Sequence, residues 1–110
     1  MIDLINDLQT KNAHLEQALR TLRKNGIALA EAEKNYKEAV SKEALRLRDE
    51  GMAVTLMDKV IYGLPSISVL RYQRDCAKTL YEANQEAINV TKLQIRLIES
   101  QLEREWGSIK

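Results

Sequence analysis

The chain has 110 residues, of which 30% are charged and 45% are hydrophobic, and its formal net charge is +1. This length fits a single domain. A protein that binds nucleic acid mainly through the phosphate backbone shows a clear basic excess, which this chain lacks. Its one cysteine, Cys76, excludes an intrachain disulfide, and its one histidine, His14, excludes a histidine cluster around a metal. We therefore expect no metal, no cofactor and no enzymatic activity.

No apolar run approaches the roughly 20 residues that a membrane-spanning helix needs. Two early carboxylates, Asp3 and Asp7, are unlike the basic start of a signal peptide. An unpaired cysteine also fits a reducing compartment. We therefore expect a soluble, cytoplasmic protein that does not bind membranes.

Five large side chains recur at every seventh position of the first half, namely Leu8, Leu15, Leu22, Leu29 and Tyr36. Side chains with this spacing lie on one side of a helix and form a coiled-coil seam that another helix covers. Because proline and glycine are scarce, the pattern predicts one helix over about residues 2–50.

A second, less regular row runs beside this seam. Its members are Ile5, Asn12, Leu19, Gly26, Glu33, Val40 and Leu47. The pair Asn25-Gly26 is typical of a helix end, so it is either a turn or a kink within one helix. Leu22 and Leu29 keep the same phase on both sides of the pair, which favours a continuous helix.

The connector over residues 51–66 begins at Gly51 and is apolar for a loop. Within it we predict a short helix that Thr55 caps, with Asp58 in its first turn. Gly63 and Pro65 would close this helix. The connector should therefore form a small, partly buried helical knob.

The last helix is predicted to begin at Ser66 or Ser68 and to run over about residues 67–106. It has two apolar rows on roughly opposite sides. The first comprises Leu70, Ala77, Tyr81, Ile88, Ile95, Ile98, Leu102 and Trp106, and the second comprises Val69, Cys76, Leu80, Ala83, Ala87, Val90 and Leu97. A helix that is apolar on two sides needs more than one partner.

The two long helices also differ in predicted length, by about two turns at roughly 1.5 Å per residue. That difference would leave Ile2, Leu4, Ile5 and Leu8 uncovered. A second copy of the chain would cover them in a four-helix contact. The residues assigned to self-association are Leu8, Leu15, Leu22, Leu29, Tyr81, Ile88, Ile95 and Leu102.

The sequence therefore predicts an all-α protein with one helical domain over residues 1–110. Its fold is a long antiparallel helical hairpin that resembles a coiled coil, carries a short helical knob at the connection and forms a homodimer or higher homo-oligomer. Asn84 and Thr91, seven residues apart on the first apolar row, are either polar core positions that fix the register or simply exposed. Cys76 is expected to be a packed thiol and His14 to have no special role.

Residues 55–74 have the outline of a helix-turn-helix, with a turn at Gly63. The possible nucleic-acid contacts are Lys59, Arg71, Arg74 and Lys78. Lys59, however, occupies a position where close helix packing requires a small residue. A plain hairpin corner is the favoured interpretation, and nucleic acid is the less favoured partner.

Several short motifs resemble a family of small prophage-encoded helical proteins of Gram-positive bacteria. They are Leu47-Arg-Asp-Glu-Gly51, Val54-Thr-Leu, Tyr62-Gly63, Leu70-Arg, Arg74-Asp75, Glu86-Ala-Ile-Asn, Lys92-Leu and Glu103-Arg-Glu-Trp106. The resemblance implies a phage or prophage origin and a bacterial host cytoplasm, and it supplies no catalytic residue. In architecture the predicted hairpin is also similar to phage nuclease inhibitors of the Gam type, which are dimers of long helical hairpins.

From these observations we predict a non-enzymatic protein that acts by associating with an unidentified protein partner. The alternative is a DNA-binding or nuclease-inhibiting accessory of phage replication or recombination.

Overall fold

A computed structural model describes residues 1–109 and shows three α-helices in them. Helix α1 spans Ile2–Asp49, α2 spans Val54–Gly63 and α3 spans Pro65–Ile109. No strand occurs in this part of the chain, so the all-α prediction is confirmed. The predicted domain, residues 1–110, ends at Lys110, which lies outside the described residues.

The residues divide into two compact units, each of which pairs a segment of α1 with a segment of α3. Unit 1 combines Met1–Lys24 with the part of α3 that begins at Glu82. Unit 2 is the continuous stretch Asn25–Tyr81 and includes α2. In both units the two long helices are antiparallel, as the sequence predicts. A single domain over the whole chain stays a prediction.

Helix α1 passes through Asn25 and Gly26 without a break, so the interpretation as one continuous helix is confirmed. Asn25 is buried, with 8% of its surface exposed. The Tyr81 ring lies against Gly26, and a Cβ atom placed there would be 3.4 Å from Cε2 of Tyr81. A Cβ atom at Gly26 would therefore fit against the ring at van der Waals contact, whereas the ring occupies the space that a larger side chain would need.

Helix α1 ends at Asp49, and the predicted stop at Gly51 forms a Schellman motif directly after it. Gly51 adopts a φ of 83°, which glycine reaches without strain. Its N–H donates to the carbonyl of Arg48 at 3.0 Å, and the N–H of Met52 donates to the carbonyl of Leu47 at 3.0 Å. Met52 packs against the cluster that contains the buried Leu47, which is the apolar contact that accompanies this motif.

Helix α2 forms the predicted knob, but its start differs from the prediction. The residue before its first turn is Ala53, whose side chain makes no capping bond, so Thr55 does not cap the helix. Asp58 lies beyond the first turn. Met57 and Ile61 are buried, so apolar packing, and not a cap, holds this helix in place.

Helix α3 begins at Pro65, so neither Ser66 nor Ser68 caps it. Proline suits the first helical position because its fixed φ matches the helix and its missing N–H is not needed there. The preceding Leu64 is extended, with ψ at 132°, as is typical before proline. The N–H of Ser68 instead donates to the carbonyl of Leu64 at 2.9 Å.

The predicted excess length of α1 is wrong because α3 starts earlier and continues through Gly107 to Ile109. In unit 1 the amino terminus of Met1 lies 3.6 Å from a carboxylate oxygen of Glu105. Leu4 and Leu8 are half-buried within the chain, so the prediction that they are uncovered is wrong. Ile2 and Ile5 are exposed, as predicted.

Unit 2 contains a cluster of buried apolar side chains contributed by all three helices and their connections. Its members are Tyr36, Leu47, Met57, Ile61 and Ile67, with Ala39, Val40, Ala44, Met52, Leu64 and Leu70 packed around them. Burial of each large member contributes roughly 1.5–3 kcal/mol relative to exposure. The cluster thus joins the knob to both long helices of unit 2.

Unit 1 consists of two paired helical segments in which Ile88 and Ile95 are buried. Asn84 is half-buried and donates its Nδ2–H to the carbonyl oxygen of Ala18 at 3.3 Å. Asn84 is therefore a polar core position that links the two segments. Thr91 bonds only along its own helix, to the carbonyl of Ala87 at 2.9 Å.

The seam of α1 is half-buried from Leu8 to Leu29 and fully buried at Tyr36, as predicted. The predicted companion row is wrong toward the amino terminus, where Ile5, Asn12 and Leu19 are exposed. It is confirmed farther along, where Gly26, Glu33 and Val40 are half-buried and Leu47 is buried. A row on the other side of the seam is also buried or half-buried: Leu4, Lys11, Ala18, Asn25, Ala32 and Ala39.

Candidate functional site

The residues predicted to mediate self-association are largely covered within one chain. Ile88 and Ile95 are buried, and the remaining six are half-buried within one chain: Leu8, Leu15, Leu22, Leu29, Tyr81 and Leu102. Pairing of α1 with α3 inside each unit accounts for this burial without a second copy. Self-association through them stays a prediction, and an accessible surface for a partner must be sought elsewhere.

The second apolar row of α3 is exposed along its length. Val69 is 54% exposed, Leu80 is 58% exposed and Leu97 is 61% exposed. Tyr72 and Leu93, which flank this row, are also largely exposed. By the seven-residue repeat, Val69, Leu97 and the other members at that spacing lie about 150° around α3 from the buried Ile88 and Ile95. The row is therefore on roughly the opposite side of α3 from the buried row, as predicted.

We define the outer face of α3 as this row and the positions beside it. It comprises Ser66, Val69, Tyr72, Gln73, Cys76, Thr79, Leu80, Ala83, Glu86, Ala87, Val90, Leu93, Gln94, Leu97, Ser100 and Gln101. All are exposed except the half-buried Gln94. Glu86 is the one charged residue on this face, in a chain of which 30% is charged. A solvated helix face is normally rich in charge, so the outer face is unusual for permanent contact with water.

Cys76 lies on the outer face and is an exposed free thiol, so the prediction of a packed thiol is wrong. The reason is that its row faces away from α1. Tyr72, one turn earlier, has a pKa above its ordinary value because it forms a hydrogen bond with Cys76. The thiol thus has a weak polar partner on its own helix.

The predicted nucleic-acid contacts are partly brought together in unit 2. Arg71 and Arg74 line an open concavity with Tyr36 and Tyr62. The Arg74 guanidinium lies over the Tyr36 ring, with Cζ 4.6 Å from its centroid, and Nη2 lies 2.8 Å from Oδ1 of Asp75. The hydrogen bond with Asp75 raises the pKa of Arg74. Arg74 is therefore already held by an aromatic ring and a carboxylate.

Lys59 on α2 and Lys78 on α3 are exposed and do not line this concavity. Leu64 alone separates α2 from α3, whereas a helix-turn-helix needs a turn of about 3–4 residues. The helix-turn-helix outline is therefore wrong in its central feature. What remains is a pair of arginines beside two tyrosines.

A second concavity in unit 2 is apolar. Residues of α1 and α2 line it, among them the exposed Leu45 and Val54. Its floor includes the buried Met57. It is open to solvent and has few polar groups to orient a ligand, so it lacks the convergent hydrogen-bonding groups of a specific small-molecule site.

Sequence reasoning missed the burial of Asn25. The signal was present, because Asn25 lies seven residues from both Ala18 and Ala32 in the companion row of α1. It was read instead as a helix-ending residue because glycine follows it. Polar residues at such positions commonly fix the register of paired helices.

Within residues 1–109 no three or more side chains of His, Cys, Asp or Glu are grouped so as to hold a metal ion. In the same part of the chain, no helix combines the length and apolarity needed to cross a bilayer. No protein-family model, curated protein or solved structure matches this chain significantly.

Proposed function

We propose that the chain acts through protein–protein association and that the outer face of α3 is the surface that a partner covers. The observation that carries the proposal is the exposure of this face together with its single charge, Glu86. Exposing a contiguous apolar surface to water is unfavourable in free energy, and in monomeric proteins such surfaces mark interaction sites. The outer face presents side chains suited to packing against a helix.

The phage or prophage origin and the bacterial host implied by the sequence resemblance are part of the proposal.

A photo-crosslinker on the outer face tests this function in producing cells. Tyr72 is 70% exposed, so replacement by p-benzoylphenylalanine places the reactive group on the face without disturbing buried packing. We expect a discrete cross-linked protein species. The matched control carries the same group at Glu99, an exposed position off the face. Equal labelling at both positions, or none at Tyr72, would contradict the proposal.

A second candidate function, DNA binding with or without nuclease inhibition, has one specific observation in its favour. The concavity of unit 2 combines two guanidinium groups with the rings of Tyr36 and Tyr62, a mixture that suits phosphates and stacked bases. It predicts DNA affinity that falls with salt and drops in Arg71→Ala. Arg96→Ala, an exposed arginine of unit 1, is the matched control. Protection of bound DNA from an exonuclease would extend the function to nuclease inhibition.

A further inference from the structure

We infer that the partner of the outer face is a second copy of this chain, with the two α3 helices antiparallel about a two-fold axis near Ala83 and Ala87. The inference rests on the proposed function and names its partner. Each α3 already packs against segments of its own α1 in the two units. The assembly would therefore bring four long helices together.

The order of side chains along the face carries the inference. Four residues lie on the centre line of the outer face near its middle. Ala83 is followed by Leu80 toward the N-terminus of α3, and Ala87 is followed by Val90 toward its C-terminus. An antiparallel two-fold pairing about residue 85 matches these central positions, so alanines meet alanines and Leu80 meets Val90. Farther from the axis it places Leu97 opposite Gln73 and Val69 opposite Gln101. The small central residues permit close approach of the helix backbones, and the larger residues fill the space on either side.

The charge pattern favours a second copy over a foreign helix. Coiled-coil helices choose foreign partners through complementary charges beside the apolar core. The outer face has no such set of charges, and self-pairing brings together no like charges except Glu86 with Glu86 of the other copy. Near the proposed axis, these two carboxylates would approach each other. Glu86 is therefore the one residue on the face that opposes dimerisation.

The area of the outer face that two copies can bury sets the expected affinity of the dimer. The face extends from Ser66 to Gln101, and a stripe about 100° wide on a helix of 10–12 Å diameter gives roughly 500 Å² for each copy. Two copies would bury about 1,000 Å², which is the lower bound for a specific interface. We therefore expect a dimer that dissociates on dilution and not a permanent one.

Sedimentation velocity over a concentration series tests the dimer itself. The mass should rise from 12.6 kDa toward twice that value as the protein is concentrated. Glu86→Gln removes the opposing charges and should lower the dimer Kd by about threefold or more. A chain that stays monomeric throughout, or a dimer that Glu86→Gln weakens, would overturn the inference.

Distances between spin labels test the antiparallel arrangement. Cys76 is the sole cysteine and is exposed, so the natural chain can be labelled directly. Antiparallel pairing about residues 83–87 places the two Cys76 positions about 20–35 Å apart along the axis, whereas parallel pairing places them within about 20 Å across it. A second variant, Glu99→Cys with Cys76→Ser, carries the label off the face. In the antiparallel dimer its two labels should lie about 35–50 Å apart.

These outcomes separate the two proposals. Label separations within about 20 Å at Cys76 and below about 35 Å at Glu99→Cys would overturn the antiparallel inference. Separations of about 20–35 Å at Cys76 and about 35–50 Å at Glu99→Cys would support it. A monomeric chain whose Tyr72 crosslinks to a different protein would overturn the second-copy inference and leave the proposed function standing. A monomeric chain with no crosslink at Tyr72 would contradict both.

Discussion

Replacement of Gly26 by alanine should stabilise the protein, because the structure places this glycine inside a continuous helix. Alanine is favoured over glycine in a helix interior by about 1 kcal/mol. The new Cβ atom would lie 3.4 Å and 3.9 Å from two ring carbons of Tyr81, which are contact distances and not overlaps. We therefore expect Gly26→Ala to raise the free energy of unfolding by about 0.5–1 kcal/mol.

Equilibrium denaturation followed by far-ultraviolet circular dichroism measures this change. Gly51→Ala is the matched control, since Gly51 adopts a φ of 83° and an alanine there should cost roughly 1–2 kcal/mol. Gly26→Leu should also destabilise, because its side chain would enter the space of the Tyr81 ring. A loss of stability in Gly26→Ala would refute the continuous helix and indicate a turn at this position.

Three further changes test the packing of α3. Ile88→Ala should lower the free energy of unfolding by about 2–4 kcal/mol in a denaturant titration because Ile88 is only 4% exposed, whereas Ile27→Ala, at a 63% exposed position of α1, should change it by less than about 0.5 kcal/mol. Asn84→Ala should cost about 1 kcal/mol in the same measurement through loss of its 3.3 Å hydrogen bond to α1. Cys76→Ala should lower the pKa of Tyr72 toward its ordinary value, and an unchanged phenolate absorbance titration would contradict the hydrogen bond between them.

The long helices were predictable because the seven-residue repeat of large side chains continues through residues of low helix propensity, such as Gly26. Leu22 and Leu29 identified the continuous helix through Gly26, and Gly51 identified its end. The starts of α2 and α3 were not predictable from the same reasoning. Serine and threonine near a helix start suggest caps, but Pro65 and apolar packing fix these starts without them.

The companion row on α1 could not be chosen from apolar character alone. Ile5 and Leu19 are more hydrophobic than Ala18 and Lys11, yet the latter two are half-buried and the former two are exposed. Packing depends on the size of the side chains that the partner helix presents, and the sequence of α1 alone does not show which side chains of α3 it faces.

The candidate surface was predictable in outline. The sequence showed a second apolar row on α3, and the structure shows that α1 does not cover it. Its position on roughly the opposite side of α3 from the buried row followed from the spacing in the sequence. The aromatic contact of Arg74 with Tyr36 was not predictable, because these residues are distant in sequence and meet only through antiparallel pairing in unit 2.

The decisive measurement compares the solution masses of two variants by size exclusion with light scattering. Leu80→Glu places a charge on the outer face, and Leu45→Glu places one off it, at almost equal exposures of 58% and 59%. We predict that Leu80→Glu stays at 12.6 kDa at concentrations where the natural chain and Leu45→Glu approach twice that mass. Equal association of Leu80→Glu and the natural chain would show that the outer face of α3 is not the surface through which this protein associates.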